Sequence, residues 1–281
     1  MKEKQSNSTR GIVHADAGRD KFSLARFEPG PGLEPFVEHY WALGYDVPPD
    51  TPYTQTVLSY PNVHLAFEQD EHGRRGLVYG VPQRPFVREL RGAGHVLGVK
   101  FRAGGFYPFW RQDVARLTGA TAPASVVFGT EAAAWADAVL DADGDAARAE
   151  TAERLLGAKL PQRDSRAELA ERIVQETMRD PHMLGVEQLS ARYGLSIRQL
   201  QRLFRRTVGV TPKWVIKRFR LQEAALQLER GEAGHWAELA LQLGYYDQAH
   251  FIKDFKSVLG VSPAAYRREA AAPPSPGNER S

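Results

Sequence analysis

The chain has 281 residues, enough for two domains with separate cores, and its 37 basic side chains barely exceed its 34 acidic ones, for a formal net charge of +3. It has no cysteine, which excludes disulfides, thiolate zinc sites, iron–sulfur clusters and thiol or alkyl-acceptor chemistry. The opening MKEKQSNSTRGIVHADAGRD lacks the apolar run of a signal peptide and no segment reaches the roughly 18 apolar residues of a membrane span, so a cytoplasmic protein without membrane contact is expected.

Residues 1–10 are polar and expected to be disordered. From about Gly11 to Gly105 the runs YTQTVLSY, NVHLAFE, GLVYGV and HVLGVKF are short, β-rich and broken by Pro, Gly and Asp. Val63, Leu65 and Phe67 share one face at period two, as do Leu97, Val99 and Phe101. Such closely spaced strands predict a small barrel or sandwich. Residues 33–41 (LEPFVEHYW) fit a short helix or a strand equally well. If the barrel encloses an effector cavity, Trp41, Tyr53, Gln55, His64 and Lys100 are its candidate lining, being aromatic or polar and in or beside strands. Each also has an ordinary reading as core, rim or solvent-facing residue.

A metal-dependent enzyme would need several histidines and a carboxylate converging on one ion. His64 and Glu68 lie on one side of their strand, but there is no H-x-H pair, and His72 and His95 fall near turns. No Ser-His-Asp pattern, phosphate loop or nucleotide fingerprint is present. No catalytic residue, metal or cofactor is therefore assigned, and the chain is not expected to be an enzyme.

Residues 106–117 read as a helix, and 131–160 as one or two Ala-rich, acidic helices interrupted near Asp143-Gly144. Residues 161–165 (PQRDS) are expected to form a linker. A helix then starts near Ser165, keeps Leu169, Ile173, Val174 and Met178 at helical spacing, and stops at Asp180-Pro181. The tail after Arg268 is expected to be disordered.

The C-terminal part carries a near-repeat. LSARYGLSIRQLQRLFRRTVGVTP (189–212) is answered by LALQLGYYDQAHFIKDFKSVLGVSP (239–263). Gly194 matches Gly244, and Phe204, Gly209 and Pro212 match Phe255, Gly260 and Pro263. Each copy reads as a helix, a Gly-centred turn, a second helix and a Gly-x-[ST]-Pro stop, which is a helix-turn-helix written twice. Two such units in one chain can enter neighbouring major grooves of double-stranded DNA.

In the first copy Leu200, Leu203 and Phe204 form the inward stripe and Ser196 is placed to cap the second helix. Arg198, Gln201, Arg202 and Arg205 then share another face. Arg and Gln make bidentate contacts with guanine and adenine edges, so Arg198, Gln201 and Arg202 are expected to read bases and Arg205 and Arg206 to meet phosphates. Eight basic residues and no acid fall between Arg198 and Arg220; of these and their neighbours, Gln199, Lys213, Lys217 and Arg218 complete the expected DNA-contacting set. In the second copy Phe251 and Phe255 pack inward and Asp247 is best placed as a cap. Gln248, Ala249, His250 and Lys253 can reach bases, with Lys256 beside them, and Ile252 is either a thymine-methyl contact or core. This face is less positive, so the first unit is expected to supply more affinity. Residues 212–228 contain no breaker after the first proline and predict one continuous helix that fixes the spacing of the units at about one DNA turn, roughly 34 Å.

These residues resemble the DNA-binding domain of the AraC/XylS family of bacterial transcription regulators. The pattern is Leu189-Ser-Ala, Gly194-Leu-Ser196, Leu200-Gln-Arg202-Leu-Phe204, Gly209-Val-Thr-Pro212 and Arg220-Leu221, then Ala240, Gly244-Tyr-Tyr-Asp247, Phe251, Phe255-Lys256 and Gly260-Val-Ser-Pro263. Lys253 departs from it, since the family more often has arginine there. The resemblance implies a seven-helix DNA-binding domain over about 165–268, and an N-terminal domain (11–160) for effector binding or dimerisation. It also implies an activator that contacts RNA polymerase. HYWALGYDVP, LSYPNVHLAFE and LGVKFRAGGFYPF are similar to uncharacterised cupin-like sensor domains of one branch, which implies a β-barrel but no particular ligand. The expected fold is thus α+β: a cupin-like barrel with flanking helices, then an all-α domain with two helix-turn-helix units. The expected function is ligand-responsive, sequence-specific transcription regulation, with the effector unknown and a homodimer left open. A metal-dependent cupin enzyme fused to a DNA-binding domain and an architectural DNA-binding protein are the alternatives; Gln, His and Arg on the reading faces favour sequence readout over the latter.

Overall fold

A computed structural model describes residues 21–57, 60–231 and 236–271. The readings made for residues 1–20, for Leu58-Ser59 and for the tail after 271 lie outside the described residues.

The N-terminal strands are β1 (Phe22–Phe27), β2 (Val37–Val47), β3 (Tyr53–Val57), β4 (His64–Asp70), β5 (Gly73–Tyr79), β6 (Phe86–Leu90), β7 (Gly92–Phe101) and β8 (Thr121–Pro123). Six of them form an antiparallel sheet in the order β1-β2-β7-β4-β5-β8, while β3 and β6 pair only with each other. The expected barrel is therefore not closed among the described residues: β1 and β8 are the edges of the sheet, and the β3-β6 ribbon stands as a separate layer. The undecided stretch 33–41 is a turn that becomes strand at Val37, where β2 begins.

Strand alternation sorts the two faces of the sheet. Leu65 and Phe67 of β4 and Leu97, Val99 and Phe101 of β7 are fully buried against the helical layer. His64, Ala66 and Glu68 turn the other way, toward the ribbon. The helical layer starts with α1 (Tyr107–Trp110), which ends at Arg111 in the left-handed region (φ 57°). A separate 3-10 turn, Val114–Leu117, follows, so the single helix expected over 106–117 is split. Next come α2 (Ala124–Phe128), α3 (Trp135–Leu140) and α4 (Asp145–Gly157), the last two broken at the expected Asp143-Gly144. Glu153 of α4 pins this layer to the sheet by accepting from Tyr40 Oη at 2.7 Å and Gly30 N at 3.2 Å.

Seven helices follow among the described residues: α5 (Ser165–Arg179), α6 (Val186–Tyr193), α7 (Ile197–Thr207), α8 (Pro212–Glu229), α9 (Trp236–Gln242), α10 (Gln248–Leu259) and α11 (Pro263–Ala271). Asp164 caps α5 by accepting from Arg166 N and Ala167 N at 2.9 and 3.2 Å. One apolar cluster runs without interruption from Phe27 in the sheet through Ile173 of α5, Leu200 and Phe204 of α7, to Phe219 of α8. A second begins at Leu221 and takes in Leu239, Phe251, Phe255 and Tyr266. No helix among the described residues is long and apolar enough to cross a membrane.

Candidate nucleic-acid interface and sensor cavity

Each reading helix is built by the same local devices. Gly194 (φ 63°) and Gly244 (φ 77°) occupy the left-handed region that a side chain disfavours, which lets the chain reverse between α6 and α7 and between α9 and α10. Ser196 Oγ accepts from Gln199 N, and Asp247 Oδ1 accepts from His250 N at 2.7 Å, so both second helices start on a side-chain cap. Leu200 and Phe204 of α7, and Phe251 and Phe255 of α10, are fully buried.

That burial leaves Arg198, Gln201 and Arg202 exposed on α7, with no hydrogen bond or ion pair to the described residues. On α10, Gln248, Ala249, His250, Lys253 and Lys256 are exposed, while Ile252 is half-buried against the second core. His250 Nε2 lies 3.4 Å from Asp254 Oδ2. Lys213, on the first turn of α8, is exposed. Gln199 works locally, within its own helix start. Its Oε1 accepts from Ser196 N and Ser196 Oγ, both at 2.8 Å, closing a capping box.

The remaining basic residues do not form one face. Arg218, grouped by sequence with the DNA contacts, is 1% exposed. Its Nη1 donates to Val258 O at 3.4 Å, its guanidinium lies 5.3 Å from the Trp214 ring centre, and burial lowers its pKa to about 10. Arg220 is also buried and donates to Thr177 O at 2.6 Å. The cause is α8, which lies between the two cores and buries residues on every side of this turn, Val215 through Gln222 apart from Lys217. Lys217 is half-buried and its Nζ meets Asp254 Oδ1 at 2.6 Å, tying α8 to α10. The last two arginines of α7 face the N-terminal half. Arg205 Nε is 3.6 Å from Asp113 Oδ2, and Arg206 Nε donates to Tyr107 Oη at 2.7 Å. Thr118 Oγ1 donates to Gly209 O at 2.6 Å in the same junction. Partners about 90 residues upstream leave no trace in local sequence.

The continuous helix expected between the units is present as α8, with 18 residues. At 1.5 Å per residue it is about 27 Å long.

In the N-terminal half, a cleft of about 1180 Å³ separates the six-stranded sheet from the β3-β6 ribbon. Trp41, Gln55, His64 and Lys100 line it, together with Val174 and Met178 of α5 and Phe219 of α8. Tyr53 is not brought to the cleft; its hydroxyl donates to Gln55 Oε1 at 3.1 Å and its ring packs on Phe22. Lys100 Nζ lies 2.9 Å from Glu38 Oε1 and 4.6 Å from the Tyr60 ring centre, and Tyr60 in turn packs on Phe219. Burial, and secondarily the Lys100 charge, lowers the His64 pKa to about 3, which keeps the imidazole neutral. Glu68 does not converge with His64 on a metal position. It accepts from Arg75 Nη2 (2.6 Å), Tyr79 Oη (2.6 Å) and Arg88 Nη2 (2.9 Å), the last of which latches the ribbon to the sheet. No group of three or more His, Asp or Glu side chains able to hold a metal occurs among the described residues. Sequence reasoning missed Arg26, which the β1–β2 register sets beside Trp41, Glu38, which sits at the β2 irregularity between Val37 and His39, and Tyr60, which follows β3 outside any strand.

Residues 189–269 match a family described as a helix-turn-helix domain, and residues 25–123 match a domain of unknown function (DUF6597). An uncharacterized HTH-type transcriptional regulator of Haemophilus influenzae is 33% identical over 99 residues, covering 35% of this chain and 32% of that protein. The HTH-type transcriptional regulator MtrA of Neisseria gonorrhoeae is 36% identical over 84 residues, covering 30% and 28%. A putative AraC-like transcription regulator of Streptomyces antibioticus is 35% identical over 91 residues, covering 32% and 30%. The chain thus spans about a third of the length of these relatives. Two capped second helices on one spacer, matched in this way, make residues 189–269 a helix-turn-helix domain similar to that of AraC-like transcription regulators.

Proposed function

We propose that the chain is a sequence-specific DNA-binding transcription regulator whose N-terminal half senses a small molecule. The observation that carries this reading is the pair of capped helices, α7 with Arg198, Gln201 and Arg202 and α10 with Gln248, His250 and Lys253, joined by the single helix α8. Bidentate side chains on outward faces suit base edges, and a stiff spacer avoids the entropy that a floppy one loses on binding. Lys213 and Lys256 are suited to phosphates. The sensing role rests on the cleft lined by Trp41, Gln55, His64 and Lys100, which reaches α5 and α8 and so adjoins the reader. Action in the cytoplasm, activation through RNA polymerase, dimerisation, and a cupin-like ancestry for residues 11–160 ahead of a reader at 165–268 belong to the same proposal.

The test is selection of bound duplexes from a random DNA pool by the full chain. One enriched motif is expected; a diffuse pool would favour an architectural role instead. Arg202→Ala should then cost about 1–3 kcal/mol on the selected site and far less on random DNA. Equal loss on both would reduce Arg202 to a phosphate contact and defeat base readout.

A further inference from the structure

The face of the sheet that lines the cleft is ordered in rows by strand register. One row is His39, Lys100, His64 and Tyr79 across β2, β7, β4 and β5. The next is Arg26, Trp41, Gly98 and Ala66 across β1, β2, β7 and β4. The third opens with Leu24, Leu43 and Val96. A polar, cationic end therefore passes into an apolar floor.

The middle row makes that floor flat. A Cβ on Gly98 would lie 2.0 Å from Trp41 Cε2, so the indole rests directly on the glycine. Ala66, next along, adds only a methyl group. Leu24, Leu43 and Val96 on the sheet, and Val57, Phe86 and Leu90 on the ribbon, complete an apolar slot. The whole cleft, polar end included, has a volume of about 1180 Å³, which is ample for a molecule of drug size, since such pockets run from about 300 to 1,000 Å³.

The polar end is cationic in character. Arg26 and Lys100 both neighbour the Glu38 carboxylate. The histidines beside them add no charge, because burial lowers the pKa of both His39 and His64. Glu68, the other lining carboxylate, is already held by two arginines and a tyrosine. Two polar groups at the boundary of floor and cationic end have no hydrogen-bond partner among the described residues: the His64 imidazole, which touches the edge of Trp41, and the Trp41 indole N–H. A recess that pairs an ammonium group with unanswered donors favours an incoming acceptor.

We infer that the cleft binds a planar, largely apolar molecule carrying a single acidic group, its ring stacked over Trp41 and its acid held by Lys100 and His64 beside Arg26. The assignment rests on the reading of the N-terminal half as a sensor and specifies what it senses.

The full chain is titrated calorimetrically with anthracene-9-carboxylate and biphenyl-4-carboxylate, and with the corresponding uncharged methanols. At least one acid should bind once per chain with micromolar affinity, and its alcohol about tenfold more weakly or worse. Lys100→Gln should remove the preference for the acid while the alcohol still binds. Leu24→Trp, which fills the slot, should abolish both at unchanged melting temperature. Acid and alcohol binding equally, neither acid binding, or acid binding untouched by both substitutions would each overturn the assignment. The DNA selection on the same preparation separates the failures: a chain that enriches a motif yet ignores the acids loses the ligand assignment and keeps the regulator reading.

Discussion

Removing the polar contacts between α7 and the N-terminal half should tighten DNA binding. The sequence reading sends Arg205 and Arg206 to phosphates, yet one faces Asp113 and the other is bonded to Tyr107. The Arg205 side chain is 73% exposed, so its ion pair is screened and contributes less than about 1 kcal/mol. The Arg206–Tyr107 bond has a charged donor and a buried acceptor and contributes about 1 kcal/mol or slightly more. Asp113→Ala with Tyr107→Phe removes both while keeping the ring of residue 107 beneath the guanidinium. If DNA must draw these arginines off the protein, the double variant gains the docking energy it no longer surrenders. That is about 1–2 kcal/mol, or roughly 5- to 30-fold in affinity. Fluorescence anisotropy on the selected duplex between about 50 and 200 mM salt measures it. Adding Arg205→Ala in this background should then flatten the salt dependence by about 0.9, one phosphate contact. A double variant that melts normally and binds no more tightly than the parent would refute the reasoning, since the arginines would then be outside any exchange between protein and DNA.

Arg218→Met should leave the salt dependence of DNA binding unchanged, because a guanidinium that is 1% exposed cannot release a counterion from DNA; a flatter slope in anisotropy would contradict its burial. Phe204→Ala should cost about 3–5 kcal/mol in chemical denaturation, since Phe204 is fully enclosed in the shared core. His64 makes stability pH-dependent with a defined sign. The unfolded chain takes up its proton near pH 6.5, whereas the folded chain does so only near 3. The contribution is complete above roughly pH 6.5 and is lost as the pH falls toward 3. Urea midpoints between about pH 6.5 and 5, above the titration of most carboxylates, should therefore fall less steeply in His64→Gln than in the parent, with His39 and His95, whose pKa values burial also lowers, contributing to the remaining slope.

The reader was legible because its signals are local. Gly194 and Gly244 mark turns that need a left-handed residue, Ser196 and Asp247 cap within three residues, and the stripes Leu200–Phe204 and Phe251–Phe255 recur at helical spacing. From these the outward positions of Arg198, Gln201, Arg202 and Lys253 follow by helical phase. The fate of the other basic residues was not legible. Arg218 and Arg220 look like more of the same positive run, and only the packing of two cores on either side of α8 buries them. Arg205 and Arg206 pair with residues far upstream, which no periodicity encodes. In the N-terminal half, alternation identified the buried faces of β4 and β7 but not sheet closure. Closure depends on which strands find each other, and β3 chooses β6 rather than an edge of the larger sheet. The cleft candidates were found where strand alternation pointed inward; Tyr53 shares the face of Gln55 and Val57 but, as the first residue of β3, packs on Phe22 instead of lining the cleft.

The break in apolar cohesion falls inside α8, after Phe219, and not at the linker before α5. Severing the chain at residue 165 would strip Ala167, Ala170 and Ile173 of the sheet-side neighbours that enclose them. A chimera that grafts this N-terminal half onto another reader should therefore carry α5 to α7 with it, and a junction at Leu221 falls between the two apolar clusters, with the buried Arg218, which donates to Val258 O, as a contact it must rebuild. Mechanically the molecule is a large block bearing one reading head, with the second head on a small outrigger at the far end of the beam they share.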